Sequence, residues 1–205
     1  MSASEFVFKS ELWTAQYTGI KANTLASFSK ALREVDNDTI YYHLYRNLFE
    51  YHFLPTEYGN SFAYWLAENG FPILAEKFSA IDLMECTCLD HVREEMLDIL
   101  YGNSESADKI CKPFYFIRAV RKIIDTGIRA SNLKEFSMGI RRVGTHSLFY
   151  HLVTSRLSYR EPLNDFSRWL LEIGEEAKAR RIEKLDLMAY SLYEVRERIL
   201  DILEN

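Results

Sequence analysis

The sequence predicts an all-α protein built by internal duplication, and three observations carry that prediction. Only 8 Gly and 4 Pro interrupt the 205 residues, which favours long helices over a turn-rich β architecture. Apolar residues recur at three- and four-residue spacing between those breaks, as on the buried face of a helix. The second half also repeats the first, with about thirty identities over roughly ninety aligned positions and two gaps.

Taken in order, Glu5 to Tyr17 is the first predicted helix, with Phe8, Leu12, Trp13 and Ala15 near helical spacing. Thr18-Gly19 ends it, because Gly accepts the left-handed conformation of a helix stop. Asn23 or Thr24 caps a second helix to about Glu34, whose apolar face is Leu25, Phe28, Ala31, Leu32 and Val35. Asp36-Asn37-Asp38 is a polar turn. A third helix runs from about Thr39 to Phe53 and is closed by Pro55 and Gly59. Asn60 or Ser61 caps a short fourth helix bearing Phe62, Trp65 and Leu66, and Pro72 opens the fifth. Thr87-Cys88-Leu89-Asp90 resembles a capping box and starts the sixth, which stops at Gly102.

From there the pattern begins again. At an offset of 108 residues, Phe6, Phe8, Thr18-Gly19-Ile20, Phe28 and Tyr42-His43-Leu44 meet Phe114, Phe116, Thr126-Gly127-Ile128, Phe136 and Tyr150-His151-Leu152. At 104, Asn60, Phe62, Trp65 and Asp82 meet Asn164, Phe166, Trp169 and Asp186. The unit is about 95 residues, longer than common solenoid periods of about 20 to 50. The expected organisation is therefore repeat one over 1–102, a polar linker over 103–113 and repeat two over 114–205. Each repeat would have about six helices, and the two would pack as a pseudo-two-fold pair.

Composition narrows the function classes. Residues 1–111 carry 8 Lys and Arg against 17 Asp and Glu, and residues 112–205 carry 17 against 13. With a net charge of −5 and no concentrated basic stripe, the chain does not read as a general nucleic-acid binder. The odd set Cys86, Cys88 and Cys111 makes no disulfide framework. Cys86 and Cys88 lack the second pair that a zinc site wants, so no metal is expected. Met1-Ser2-Ala3-Ser4-Glu5 does not look like a secretory leader, and no apolar run approaches the ~18 residues of a spanning helix. A cytoplasmic protein without a membrane segment is expected.

The polar residues kept in both repeats nominate a site. Thr39, His43 and Asn47 lie four apart on one face of the third helix, and Ser147, His151 and Ser155 repeat that strip. Tyr42 and Tyr150 stand beside the histidines, and Trp65 and Trp169 follow on the next helix. These ten residues form the candidate pocket, with histidine as acid, base or ligand contact. The blander reading is a polar strip that satisfies its own hydrogen bonds inside a helical core. Asn60, Asn164, Asp82 and Asp186 are weaker candidates that also suit helix caps and entry turns. Lys21 and Arg129 share a charge after the Thr-Gly break. No phosphate loop, nucleophile elbow or metalloprotease helix is present, and no cofactor is expected.

The segments Ser147-Leu148-Phe149-Tyr150-His151 and Pro162-Leu163-Asn164-Asp165-Phe166-Ser167-Arg168-Trp169-Leu170, followed by Leu185-Asp186, resemble domain of unknown function 5752, a prokaryotic family. The resemblance spans both repeats. Asn60-Ser61-Phe62-Ala63-Tyr64-Trp65 departs from the family pattern at Ser61, where Asp would be expected; the second copy has Asp165. The resemblance implies a helical fold and a cytoplasmic protein, and it implies no activity. The function expected first is a non-catalytic binding or regulatory module acting through protein contacts, as a homo-oligomer or with another protein. A small-molecule-binding protein or small enzyme around the Tyr-His pairs is the alternative, and a nucleic-acid-linked regulator ranks third.

Overall fold

Phe6–Ala22 is a 17-residue strand, β1, and Phe114–Ala130 is its duplicate, β2. The pair forms a two-stranded antiparallel sheet. This overturns the all-α fold class: the protein is mixed α/β, and the first predicted helix of each repeat is a strand. The cause is legible in Phe6-Val7-Phe8 and Phe114-Tyr115-Phe116. In both, the phenylalanines are buried and the residue between them is more exposed, which is the two-residue period of a pleated strand. The aromatic and β-branched content of both segments suits that surface. Gly19 and Gly127 adopt φ of +83° and +77° inside the strands. They accommodate a local kink, as in a β-bulge, where the spacing had suggested a helix stop. At each kink the preceding threonine crosses the ladder. Thr18 Oγ1 donates to the Phe116 carbonyl at 2.8 Å, and Thr126 Oγ1 donates to that of Phe8 at 2.6 Å.

The structure, a computed structural model, describes residues 5–51, 57–84, 86–101 and 107–205. The predicted leaderless start at Met1–Ser4, Pro55, Gly102 and linker positions 103–106 lie outside these residues. The chain divides into two compact units. One is Trp13–Val120; the other unites the chain up to Leu12 with Arg121–Asn205.

Within Trp13–Val120 the helices are α1 (Leu25–Glu34), α2 (Asn37–Arg46), α3 (Ser61–Glu68), α4 (Pro72–Ser79) and α5 (Leu89–Tyr101). A π-helical turn, Asn47–Tyr51, extends α2. Thr24 and Ser27 form a reciprocal cap on α1, Asp36 caps α2, Asn60 caps α3, and Pro72 occupies the first turn of α4. The core stacks Phe28 on Trp65 at 4.7 Å, with Phe114 edge-on to Phe28 at 5.4 Å. Arg93 closes the end of α1 by donating to the carbonyls of Leu32 and Val35. The described part of the linker is tied down: Ala107 accepts from the Ala26 N–H, and Cys111 donates its N–H to Asn23.

The other unit holds α6 (Leu133–Arg142), α7 (Thr145–Phe149), a π-helical turn (Tyr150–Thr154), α8 (Ser155–Tyr159), α9 (Asp165–Glu172), α10 (Glu176–Glu183) and α11 (Leu192–Glu204). Phe136 stacks on Trp169 at 4.8 Å, and Phe6 meets both rings edge-on at 5.0 and 5.7 Å. Phe6 and Phe8 thus fill, among the helices of repeat two, the places that Phe114 and Phe116 fill among those of repeat one. Each set of helices encloses the start of the other repeat's strand. Among the described residues, no helix is long and apolar enough to cross a membrane.

Candidate functional site

The two polar strips sit where those strands enter. In the unit containing repeat two, α7 and the π-helical turn present Ser147 and His151 to one strand residue, Lys9. The Lys9 N–H donates to His151 Nε2 at 2.8 Å, and Ser147 Oγ donates to the Lys9 carbonyl at 2.6 Å. Both backbone groups of a single residue are therefore held by side chains four positions apart on a helix. Because Nε2 accepts, the imidazole proton sits on Nδ1, which donates to Asp165 Oδ2 at 2.8 Å. Burial lowers the His151 pKa, and the carboxylate of Asp165 offsets only part of that shift. Ser155 Oγ turns back to the carbonyl of His151.

Repeat one keeps half of this arrangement. His43 Nε2 accepts the Ile117 N–H at 3.0 Å, the counterpart of the Lys9 contact. Thr39 is buried beside it, but its hydroxyl donates to Asp36 Oδ1 at 2.8 Å. Asn47 joins neither residue, and its amide reaches the Gly59 carbonyl at 3.4 Å. Ser61 stands at the position of Asp165, and buried His43 Nδ1 has no partner among the described residues. Burial, with the Arg46 charge adding to it, drives the His43 pKa down to about 3.

The remaining candidates have the following surroundings. Trp65 Nε1 donates to the Lys112 carbonyl at 2.8 Å, and Trp169 is buried against Phe136. Tyr42 and Tyr150 are buried; burial raises the Tyr150 pKa, with Tyr159 and Asp165 adding to it. Asn60 and Asn164 accept the Ala63 and Ser167 N–H groups as caps. Asp82 and Asp186 close turns on Met84 and Met188. Lys21 is exposed on β1, and Arg129 pairs with Asp125.

Sequence reasoning missed Lys9, Asp165, Glu11 and Arg168. Glu11 is fully buried on β1, with Thr154 Oγ1 donating to it at 2.5 Å and Arg121 3.8 Å away. Arg168 bonds Asp165 at 2.8 Å and faces Glu161 at 3.2 Å. Lys9, His151, Tyr159, Asp165, Arg168 and Glu172 are among the residues lining an open cleft of about 310 Å³. The one available signal was the Ser61-to-Asp165 difference between the repeats.

Residues 3–204 match the family described as "Family of unknown function (DUF5752)". The chain belongs to this family. A chain of known structure, described as "The structure of OrfY from Thermoproteus tenax", superposes with a TM-score of 0.87 at 30% identity, covering 100% of this chain and 96% of that one. No curated protein matches.

Proposed function

We propose that this DUF5752 member is a non-catalytic binding module that acts through protein contacts. The observation behind this reading is how the conserved-in-both-repeats histidines are used. Each Nε2 accepts a strand N–H, and His151 Nδ1 is taken by Asp165. A general base needs a ring nitrogen free to meet a substrate proton; in His151 neither is free. What the two histidines do is hold a strand against helices.

A second reading rests on the cleft above Asp165, which is of a size for a small polar ligand. One experiment separates the two. In a thermal-shift screen of metabolites and metal ions, a ligand of the folded state raises the melting temperature by mass action. The binding-module reading expects no compound to do so, with His43→Ala and His151→Ala merely melting lower. A metabolite that stabilises the wild type and loses its effect in His151→Ala would replace this reading with the small-molecule one.

A further inference from the structure

α9 and α10 pack together in the unit of repeat two, and an open groove of about 260 Å³ runs along them. Leu163, Leu171 and Ala179 give it an apolar lining, and Arg180 and Lys184 stand one helical turn apart beside them. Leu171 is 40% exposed although it is a large apolar side chain on a helix. Glu183 also lines the groove, but its Oε1 is occupied by the Asn164 N–H and side-chain amide. Arg180 pairs with Glu176 at the surface, whereas Lys184 meets no carboxylate among the described residues. The groove is smaller than the roughly 300–1,000 Å³ of small-molecule pockets, and its size suits one large side chain.

Repeat one treats the same edge differently. At the offset of 104, Gly59, Ala67 and Glu76 stand in place of Leu163, Leu171 and Arg180. There the repeat brings its own aromatic residue to the helix: the Tyr58 hydroxyl donates to Glu76 Oε1 at 3.3 Å. Repeat two has Pro162 at the position of Tyr58 and so has no phenol to place there. Its two leucines enlarge the apolar surface, and the acidic side chain beside it becomes a basic one.

We propose that the α9–α10 groove docks a peptide segment of a partner protein in which a leucine or aromatic side chain is flanked by Asp or Glu. The apolar side chain covers Leu163 and Leu171 and takes their surface out of water. The acidic flanks meet Lys184 and Arg180, a charge-complementary contact that favours this partner over a basic one. The inference rests on the protein-contact reading above and gives it a surface and a partner chemistry.

The test is a selection of random peptides displayed on phage against the immobilised full chain. The expected result is enrichment of peptides carrying Leu, Phe or Tyr beside Asp or Glu. Made synthetically, these should bind Leu171→Glu and Lys184→Glu roughly tenfold or more weakly than the wild type, a loss of about 1.4 kcal/mol or more. Binding to the wild type should also weaken as salt rises. Both positions are exposed, so the variants should keep the wild-type melting temperature; Leu171→Ala, which installs the repeat-one residue, repeats the comparison without adding a charge. Enriched peptides that bind wild type and variants alike overturn the groove and leave the protein-contact reading standing. Enrichment of basic peptides, or of none, overturns the proposal as well. Self-association in sedimentation that Leu171→Glu abolishes overturns it by assigning the groove to a second copy of the chain. The protein-contact reading itself falls separately, on a stabilising metabolite in the ligand screen.

Discussion

His43 and His151 both carry lowered pKa values, and the sign of their effect on stability follows from that. An unfolded histidine titrates near 6.5, whereas folded His43 resists protonation down to about 3. Below pH 6.5 the unfolded state therefore binds protons that the folded state refuses. Stability is full above that pH and falls progressively until about 3. Urea unfolding across this range should show the loss, and His43→Leu should flatten it. The same substitution should cost about 1–3 kcal/mol at neutral pH, because the Ile117 N–H loses its acceptor. The orphaned Nδ1 of His43 makes the opposite prediction for Ser61→Asp. An acceptor there, as Asp165 supplies in repeat two, should stabilise the protein by about 1 kcal/mol. It should also raise the His43 pKa, as measured by NMR titration. A variant with an unmoved titration would show that position 61 does not reach the ring. Of the strips Thr39-His43-Asn47 and Ser147-His151-Ser155 that four-residue spacing marks out, only Ser147 and His151 meet on one strand residue, while Thr39 turns to Asp36 and Asn47 to Gly59. The strand partner was not legible, because a backbone N–H 142 residues away has no side chain to announce it.

At the scale of elements, the helices could be read from their punctuation and the strands could not. Asn60, Asn164 and Pro72 mark their helix starts by chemistry that acts within one turn. Phe8, Leu12 and Ala15 fit a helical spacing as readily as Phe6 and Phe8 fit an alternating one, and a short apolar run does not separate the two periods. The Thr-Gly pair looked like a terminator because a positive-φ glycine serves both a helix stop and a strand kink. That role carries a testable cost. Gly127→Val places a β-branched residue at φ +77°, a conformation that costs an L-residue roughly 1–2 kcal/mol or more. Thermal unfolding should reflect that loss. Gly127→Asn, which tolerates the region better, should recover part of it. Equal stability of the two variants would mean that the kink relaxes away.

For the whole molecule, the sharing of both strands sets the cooperativity. β1 begins in one compact unit and ends in the other, and β2 does the reverse. Unfolding either unit therefore removes strand residues that belong to an element of the other. Trp13 and Trp65 lie in Trp13–Val120 and Trp169 lies in the other unit, so single-tryptophan variants report on each separately. Their denaturant transitions should coincide, as for a two-state system. Two resolved midpoints would show that the units fold independently despite the shared strands. The duplication was legible from aligned identities; the exchange of strand starts was not. Both arrangements bring the same residue types together, so identities alone do not say which copy supplies them.

The grip on the Lys9 peptide has a consequence for how this sequence can drift. Ser147 and His151 address only the main chain, and the histidine contact recurs in repeat one on a residue of opposite character, Ile117. Recognition that ignores the side chain leaves those two positions open to mutation, with proline alone barred for want of an N–H. The constraint on the held strands then rests on their buried phenylalanines, Phe6, Phe8, Phe114 and Phe116, which are the same in both repeats.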